Sequence, residues 1–462
     1  PNAVFPHLKN LFDPNASHRF FVDGSPVAAD ANLGTSTSPK WSTVLVGSTG
    51  AGGNGYFALD VENPAQPKPL WEAGSDVSGF ENLGATLGRA SIVRMQSGEW
   101  VAIFGNGYNA TDNKAHLYIV DLKTGALLRD ILLANSADET ASGNAPPNGL
   151  STPLAADRNR DGSVDTVYVG DMLGNLWKID LSAASSSDWP SSLSTPLFKA
   201  ADSENTTQPI YAKPAAMLRA NTTNEVLVFF GTGKFFEKRD AEGNGHDDYT
   251  DLSVQTFYGI KDTDSSNLPL TRTNLVAQTI HKAPAPVGYY DAAELRYLSD
   301  NPVSYDPGGQ SGFYIDLTVE GVKQGERVTS SPILLHDRVI FTTLVPSPPE
   351  DGNVCNTGST HGWLMQVTLT GGQPDNSVFD LNGDGVFDNK DESGSEIVGG
   401  VRIKNSGIAF VPSGKGNGDD DDDNRRNDKC FPYGGDKGPV GGGILCTSPG
   451  QGRESWQQLK GR

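Results

Sequence analysis

A short acidic segment, DRNRDGSVD from Asp157 to Asp165, carries the clearest chemistry in the sequence. Oxygen-bearing side chains stand at its positions 1, 3, 5 and 9, and Gly162 stands at position 6. Calcium takes about six to eight oxygen ligands, and this alternation around a glycine is the spacing of an EF-hand-type calcium loop. The spacing predicts a calcium site whose ligands are Asp157, Asn159, Asp161, the carbonyl of Ser163, and Asp165.

The end of this loop departs from the EF-hand pattern. Position 12 is Tyr168 rather than Glu, and the loop runs directly into the strand-like sequence TVYVGD instead of into a helix. The bidentate ligand of an EF-hand is therefore expected to be absent or replaced from elsewhere. We expect a site with fewer charges and moderate affinity.

A second segment, DLNGDGVFDNKD from Asp380, matches the pattern more fully, with Gly385 at position 6. Its predicted ligands are Asp380, Asn382, Asp384, the carbonyl of Val386, Asp388 and Asp391. A third segment, DAEGNGHDD from Asp240, follows the spacing more loosely and could equally be an ordinary polar turn. All three segments admit an alternative in which Asx turns stabilise an acidic hairpin loop that holds no metal.

The sequence contains none of the common catalytic motifs. A G-x-S-x-G elbow, an H-E-x-x-H pair, a G-x-x-x-x-G-K-S loop and a C-x-x-C pair are all absent. The 7 histidines are scattered without the spacing of metal ligands, so each is expected at the surface or in packing. We therefore expect a protein that is not an enzyme.

Composition argues against a nucleic-acid partner and against an integral membrane segment. The chain has 462 residues, with 36 Lys and Arg against 56 Asp and Glu, which gives a net charge of −20. Nucleic acid is disfavoured because its phosphates require neutralising cations. No apolar run approaches the roughly 18 residues that span a bilayer, so no integral membrane segment is expected.

The aspartate run Asp419 to Asp423 lies in residues 413–443, which are expected to form a mobile acidic loop.

The segments that must position these loops are short, β-branched and aromatic. The runs VLVG, VAIFG, TVYVG and VLVFFG end at glycines that recur at a spacing of roughly sixty residues, namely Gly47, Gly105, Gly170 and Gly231. That period fits one four-stranded antiparallel sheet with elaborated loops, and such sheets close radially into a propeller. The chain is therefore expected to be an all-β propeller of about seven blades that occupies residues 1–462 as a single domain.

The glycines and aromatic residues of this repeat are expected to have structural roles. A glycine at a strand exit permits a positive φ and the close approach of a neighbouring backbone. The aromatic residue of the following strand then packs between adjacent sheets, and Tyr56, Tyr118 and Trp177 occupy that position.

The 3 cysteines leave the disulfide pattern open. A bridge between Cys430 and Cys446 would hold the ends of a glycine-rich stretch together and leave Cys355 as the spare thiol; this arrangement is favoured. Cys355 could instead pair with one of the late cysteines, or all three could be reduced and buried.

Several stretches resemble the C-terminal domain of PilY-type (PilC-like) type IV pilus proteins, and they occur in the order of that family over nearly the whole chain. They include HRFFVDGSP from His18, WSTVLVGSTGAGGNGYFALDV from Trp41, GERVTSSPILLHDRVIFTTLVPS from Gly325 and GRESWQQL from Gly452. In that family the calcium loop precedes a strand like VYAGDLQGNLW, which corresponds here to VYVGDMLGNLW from Val167.

The resemblance implies a seven-bladed, quinoprotein-like propeller that is exported to the cell surface, the pilus tip or the outer membrane. It implies roles in pilus biogenesis, in opposing retraction under the control of calcium, in adhesion and in twitching motility. The implied partners are type IV pilus components, namely minor pilins and the N-terminal region of the same protein, and a host-cell receptor. Because the chain begins at Pro1 rather than Met, it is expected to be a piece of a longer protein.

Two alternatives remain open. The first is a quinone-dependent dehydrogenase, although the adjacent cysteine pair that such enzymes often carry does not occur here. The second is a purely structural scaffold in which calcium only stabilises a loop.

Overall fold

The computed structural model describes residues 1–12, 19–134, 147–219, 222, 225–236, 252–262, 268–335, 337–346 and 361–403, and the backbone of residues 429–434 and 442–447. Strands dominate these residues, and the described part of the chain contains no α-helix. Its helical segments are 3₁₀ helices at Asn2–Phe12, Ser186–Asp188, Arg272–Asn274, Ala292–Glu294 and Asn389–Asp391. The prediction of an all-β chain is confirmed.

The chain divides into two compact units. The first comprises Pro1–Val226 and Thr263–Thr271, and the second comprises Leu227–Asp262 and Arg272–Arg462. The assignment of residues 1–462 to a single domain and the number of blades stay predictions.

The described residues of the first unit form three sheets whose consecutive strands are antiparallel, as in a propeller blade. Sheet 1 comprises β1 (Val27–Asn32), β2 (Trp41–Ser48), β3 (Gly55–Asp60) and β4 (Lys68–Gly74). Sheet 2 comprises β5 (Ser91–Arg94), β6 (Trp100–Gly105), β7 (Ala115–Asp121) and β8 (Leu127–Leu133), and β12 (Ser192–Leu193) pairs in parallel with β8. Sheet 3 comprises β9 (Leu154–Ala156), β10 (Thr166–Gly170), β11 (Asn175–Asp180) and β13 (Phe198–Lys199), and β17 (Leu270–Thr271) pairs in parallel with β13. One further strand, β14 (Ala215–Leu218), follows sheet 3 along the chain.

Where the structure describes it, the second unit is built around one continuous sheet. Its strands are β15 (Val226–Gly231), β16 (Thr256–Asp262), β18 (Val276–Lys282), β19 (Leu295–Leu298), β20 (Gly312–Val319), β21 (Val322–Lys323), β22 (Ile333–Leu335), β23 (Arg338–Val345), β24 (His361–Thr368) and β27 (Gly400–Ile403). Their spatial order is β15-β16-β20-β18-β19-β27-β24-β23-β22, and β21 pairs with β20. Two ribbons pair β25 (Glu392–Ser393) with β26 (Glu396–Ile397) and β28 (Lys429–Gly434) with β29 (Gly442–Thr447).

The glycines that end β6 and β10 leave room for segments that come later in the chain. These segments contain Leu150, which leads to β9, and Ile210, which leads to β14. A Cβ atom at Gly105 would lie 2.6 Å from Leu150 Cβ, and one at Gly170 would lie 2.3 Å from Ile210 Cγ2. Neither glycine has a positive φ. The predicted close approach is therefore confirmed, whereas the left-handed conformation is not used at these positions.

The aromatic residues that follow Gly47, Gly105 and Gly170 in the next strands are buried, as predicted. Tyr56 stacks on Phe104 with ring centroids 4.1 Å apart, and Tyr118 lies 5.9 Å from the same ring. These three rings share one core between sheets 1 and 2, and Trp177 is buried in the next core, between sheets 2 and 3. The packed faces fix the positions at which the loops leave each sheet.

The register of the last ribbon places Cys430 directly opposite Cys446 across β28 and β29. Cys355 lies outside the described residues. Of the predicted acidic loop at residues 413–443, the aspartate run also lies outside them, and the described backbone of this stretch is strand.

Candidate metal-binding loops

Loop 1, residues 157–165, connects β9 to β10 in sheet 3. Thr166 pairs with Ala156 in the ladder, and Asp165 donates its N–H to the carbonyl of Ala156 at 3.1 Å. The loop therefore leaves the sheet after Ala156 and re-enters it at Thr166, and these two residues are paired across the ladder. Tyr168, at position 12, is fully buried in β10 and does not replace the missing acid.

The first carboxylate of loop 1 binds the turn that closes the loop. Asp157 Oδ2 accepts the N–H of Gly162 at 2.9 Å, and Asp157 Oδ1 accepts the N–H of Asp161 at 3.2 Å. Gly162 has a φ of +90°, a conformation that favours glycine and turns the chain back toward Asp157. Positions 1, 5 and 6 of the predicted pattern are thus brought together.

The other predicted side-chain ligands of loop 1 accept further backbone N–H groups of the same loop. Asn159 Oδ1 accepts from Asp161 at 2.9 Å, and Asp161 Oδ1 accepts from Ser163 at 2.8 Å. Asp165 Oδ2 accepts from Arg158 and Asn159, at 3.0 and 3.2 Å. The predicted residues therefore belong to one hydrogen-bonded loop.

Two carboxylates of loop 1 have opposite electrostatic surroundings. Asp157 is 6% exposed, and burial raises its pKa although backbone N–H groups of the loop oppose the shift. Asp161 is exposed, and the N–H of Ser163 lowers its pKa. A cation bound in the loop would favour the charged form of the buried Asp157.

Loop 2, residues 380–391, repeats these hydrogen bonds in the second unit. Asp380 Oδ2 accepts the N–H of Gly385 at 2.9 Å. Asn382 Oδ1 accepts from Asp384 at 2.8 Å, and Asp384 Oδ1 accepts from Val386 at 2.9 Å. Gly385 has a φ of +79°, the left-handed conformation also found at position 6 of loop 1. Both loops thus adopt one local arrangement.

The end of loop 2 is different because its last three residues, Asn389–Asp391, form a 3₁₀ turn. Asp388 caps this turn by accepting the N–H of Lys390 at 2.9 Å. Asp391 is 1% exposed, and its Oδ1 accepts the N–H groups at loop positions 2 and 3, at 2.8 and 3.3 Å. Burial raises the pKa of Asp391.

Lys390 places a positive charge beside loop 2. Its Nζ lies 3.4 Å from Asp384 Oδ2 and 3.4 Å from Asp388 Oδ2. The charge of Asp388 raises the pKa of Lys390. The lysine side chain is 65% exposed, so these ion pairs contribute little to stability.

The donor sets of both loops fit calcium. Each loop offers carboxylate, amide and backbone carbonyl oxygens without sulfur or imidazole, which is the set that this hard cation prefers. Among the described residues, no three His, Cys, Asp or Glu side chains converge as a ready metal cluster, because the carboxylates face backbone N–H groups. The fit therefore depends on the donor chemistry and the loop path. The third predicted loop, with Asp240, Glu242, Asn244, Gly245 and Asp248, lies outside the described residues.

Gln96 is a candidate residue that the sequence does not reveal. It lies in the turn between β5 and β6 of sheet 2, and its Nε2 donates to Asp161 Oδ2 at 3.1 Å, across 65 residues of chain. Its local sequence, MQSGE, carries no metal-site pattern. Only the repeat of the sheets, which brings the first turn of one sheet beside the first loop of the next, could have indicated it.

Comparison with known proteins assigns this fold to a family. A family model described as the PilY1 beta-propeller domain matches residues 3–286, more than half of the chain. The chain belongs to the PilY1 β-propeller family. Loop 1 lies within the matched residues, whereas loop 2 lies beyond them.

Curated PilY1 proteins are similar to this chain over much of its length. The type IV pilus biogenesis factor PilY1 of Pseudomonas aeruginosa strain PAO1 is 34% identical over 500 residues, which cover 100% of this chain and 39% of that protein. A PilY1 homolog of Xylella fastidiosa strain Temecula1 is 36% identical over 384 residues, which cover 80% of this chain and 24% of that protein. The chain thus spans well under half the length of these PilY1 relatives.

A solved PilY1 structure supports the fold. The crystal structure of the Pseudomonas aeruginosa PilY1 C-terminal domain has a TM-score of 0.72 and 32% sequence identity, and the match covers 93% of this chain and 84% of that chain. The predicted β-propeller fold is therefore confirmed. Within the described ranges, no helix is long and apolar enough to cross a membrane.

Proposed function

We propose that this chain is a calcium-binding, non-enzymatic β-propeller domain of a type IV pilus biogenesis factor. Membership of the PilY1 family supports the assignment to the pilus, since the curated relatives are named pilus biogenesis factors. The absence of catalytic motifs from the sequence supports a role without catalysis. The observation that carries the calcium assignment is the arrangement of loop 1, in which Asp157 and Asp161 fold around Gly162.

Calcium, when bound, supplies a divalent charge that offsets the repulsion between neighbouring carboxylates. In loop 1 the residues that would hold it are Asp157, Asn159, Asp161, Ser163 through its carbonyl, and Asp165. In loop 2 they are Asp380, Asn382, Asp384, Val386 through its carbonyl, Asp388 and Asp391. Both loops leave and re-enter packed structure, so an ion there would stabilise a local connection within one unit.

The biological role that we propose is promotion of pilus biogenesis and extension by opposing retraction, together with surface or host-cell adhesion and twitching motility. The partners would be minor pilins, the N-terminal region of the same protein, and a host-cell receptor. The domain would act after export, at the cell surface, the pilus tip or the outer membrane. The names of the relatives and the family resemblance support this role.

Calcium would act as a regulator of a partner interaction. A ligand at about 100 times its Kd stabilises the bound state by about 2.7 kcal/mol. That free energy shifts a partner equilibrium only if the partner distinguishes the calcium-bound from the calcium-free protein. A regulatory role therefore requires a partner that contacts or senses one of the loops.

Calorimetric titration of the protein with calcium chloride tests the metal assignment. Asp161→Ala is expected to remove the loop 1 site, and Asp384→Ala is expected to remove the loop 2 site. An unchanged calcium stoichiometry in Asp161→Ala contradicts the assignment for loop 1. Twitching motility of cells that carry Asp161→Ala in the full-length protein tests the role. Normal motility despite lost calcium binding would leave calcium with only a structural role.

A further inference from the structure

Loop 1 is attached to a neighbouring sheet as well as to its own. The neighbouring segment is the β5–β6 turn, residues 95–99. Val164 of loop 1 donates its N–H to the carbonyl of Arg94 at 2.8 Å and forms a parallel bridge with Met95. Met95 and Val164 are both buried in the core shared by sheets 2 and 3. The last part of loop 1 is thus fixed against sheet 2.

One side chain of the β5–β6 turn contacts a predicted calcium ligand. Gln96 Nε2 donates to Asp161 Oδ2 at 3.1 Å, and Asn159 Nδ2 donates to the same oxygen at 3.0 Å. The other oxygen, Asp161 Oδ1, accepts the N–H of Ser163 at 2.8 Å. The orientation of this carboxylate is therefore determined partly by loop 1 and partly by the adjacent sheet.

The equivalent oxygen in loop 2 has a different kind of partner. Asp384 Oδ2 lies 3.4 Å from the Nζ of Lys390, which belongs to loop 2 itself. An ammonium group competes with a metal cation for a carboxylate, because both are positive. A neutral amide orients the carboxylate without that competition. Loop 1 thus combines a neutral orienting group with a connection to another sheet.

We propose that Gln96 is a positioning residue for the calcium site of loop 1, and that it couples calcium binding to the contact between sheets 2 and 3. The proposal rests on the proposed function, because it requires loop 1 to bind calcium. Residues that orient metal ligands typically change metal affinity by about 10–100-fold when they are removed. Gln96 and Asp161 are exposed, so we expect an effect near the lower end of that range.

The coupling must act in both directions. If the contact made by Gln96 raises the calcium affinity of loop 1 by some factor, calcium stabilises that contact by the same factor. Calcium would then strengthen the attachment of loop 1 to the β5–β6 turn. This is a property of two sheets within the first unit and does not depend on any partner protein.

Calorimetry with calcium chloride tests the affinity. The chain is compared with Gln96→Ala and Ser97→Ala, each also carrying Asp384→Ala so that loop 2 does not contribute. Ser97 is the matched control, since it lies in the same turn and its Oγ donates to Glu99 Oε2 at 3.0 Å. We expect Gln96→Ala to weaken calcium binding about 10-fold and Ser97→Ala to change it by less than about twofold.

Amide hydrogen exchange at Val164 gives a readout that does not measure binding. Calcium is expected to slow this exchange in the chain with wild-type Gln96 and to slow it about 10-fold less in Gln96→Ala. Equal calcium affinity and equal calcium-dependent protection in the two proteins would overturn the role of Gln96 and leave the proposed function intact. If loop 1 with wild-type Gln96 binds no calcium, the proposed function fails, and the role of Gln96 fails with it.

Discussion

Asp165 of loop 1 and Asp391 of loop 2 have the same structural role although they differ in loop position. Asp165 stands at position 9 and Asp391 at position 12, yet each accepts the N–H groups at positions 2 and 3 of its own loop. Loop 1 therefore closes on a carboxylate three residues earlier than loop 2 does. Asp165 thus makes in loop 1 the backbone hydrogen bonds that the acid at position 12 makes in loop 2.

Replacement of Asp165 by Asn is expected to weaken loop 1 with and without metal. The variant keeps the shape of the side chain but removes the charged acceptor of two backbone N–H groups, so we expect a loss of about 1–2 kcal/mol in the free energy of unfolding. Urea unfolding in a chelator measures this loss, and calorimetry measures the weaker calcium binding. Asp76→Asn, at an exposed residue of the first unit, is the control and should change stability little. Calcium binding by Asp165→Asn that equals that of the parent protein would contradict the assignment.

A buried ion pair supports the second unit. Arg296 Nη1 lies 2.7 Å from Glu326 Oε1, and Nη2 lies 2.8 Å from Oε2. The two side chains are 2% and 1% exposed. The guanidinium also lies 3.6 Å from the ring centroid of Trp363. Glu326→Gln leaves the arginine charge without a counter-charge and is expected to lower the free energy of unfolding by about 3–5 kcal/mol, measured by denaturant titration.

The double variant Arg296→Met with Glu326→Leu separates charge from packing. It removes both buried charges and is expected to recover most of the stability lost in Glu326→Gln, because an apolar pair needs no compensation. A double variant that is as unstable as Glu326→Gln would show that the geometry of the pair, rather than the uncompensated charge, determines the loss.

His116 should make stability depend on pH. Its Nδ1 lies 2.8 Å from Asp130 Oδ1, and its Nε2 lies 2.8 Å from Asp112 Oδ2. Burial by itself lowers the pKa of His116, but the two carboxylates outweigh it, and the pKa is raised. A raised folded pKa stabilises the fold fully at pH below the unfolded value of about 6.5, and this stabilisation is lost as pH rises through the folded pKa.

Thermal unfolding from about pH 5 to about pH 9 measures this effect. The difference in Tm between the parent protein and His116→Gln is expected to be largest at the acidic end and to shrink as pH rises. A difference that grows with pH would show that the neutral ring is the stabilising form. Replacement of His281 is the control, because its Nε2 lies 2.8 Å from the hydroxyl of Thr279 and its ring stacks on Tyr297 rather than between two carboxylates.

Substitution of Gly170 should be costly because of packing alone. A Cβ atom there would lie 2.3 Å from Ile210 Cγ2, so Gly170→Ala is expected to cost about 1–3 kcal/mol through overpacking. Gly321 is a useful comparison, because a Cβ atom there meets nothing within 4 Å while φ is +79°. Gly321→Ala is expected to cost about 1 kcal/mol through backbone strain. Denaturant unfolding that ranks the two losses in the opposite order would contradict the close-approach explanation.

Cys430 and Cys446 are expected to form a disulfide. Paired residues in an antiparallel ladder have Cα atoms about 4.5–5.5 Å apart, which lies within the range that a disulfide allows. Mass spectrometry of unreduced peptides is expected to find these two cysteines linked and Cys355 free to react with an alkylating reagent. A linked peptide that contains Cys355 would contradict this pairing.

Local pattern was sufficient to predict the strands and the paths of two loops. The apolar runs that end at Gly105 and Gly170 form β6 and β10, because β-branched and aromatic residues favour strands and the glycine admits the neighbouring chain. The spacing of oxygen-bearing residues around Gly162 and Gly385 predicted two turns, and both turns have the same pattern of hydrogen bonds. These features depend on residues close together in sequence, which is why the sequence could show them.

Contacts between elements could not be predicted in the same way. Gln96 contacts Asp161 across 65 residues, and Arg296 contacts Glu326 across 30 residues. Each contact depends on how separate segments of the chain pack together. In both pairs, the sequence around one residue does not indicate which residue it will contact. The sequence also did not predict that Asp165 would accept the N–H groups that a position-12 acid accepts in loop 2. This role depends on the backbone path of loop 1 rather than on the spacing of its oxygen-bearing residues.

The return of β17 to sheet 3 has a consequence for synthesis of the chain. Sheet 3 takes its first four strands from residues 154–199 and its last from Leu270–Thr271, after the chain has already contributed β16 to the second unit. A ribosome must therefore release part of the second unit before sheet 3 can be completed. For the same reason, no single cleavage of the polypeptide yields both units with all their strands.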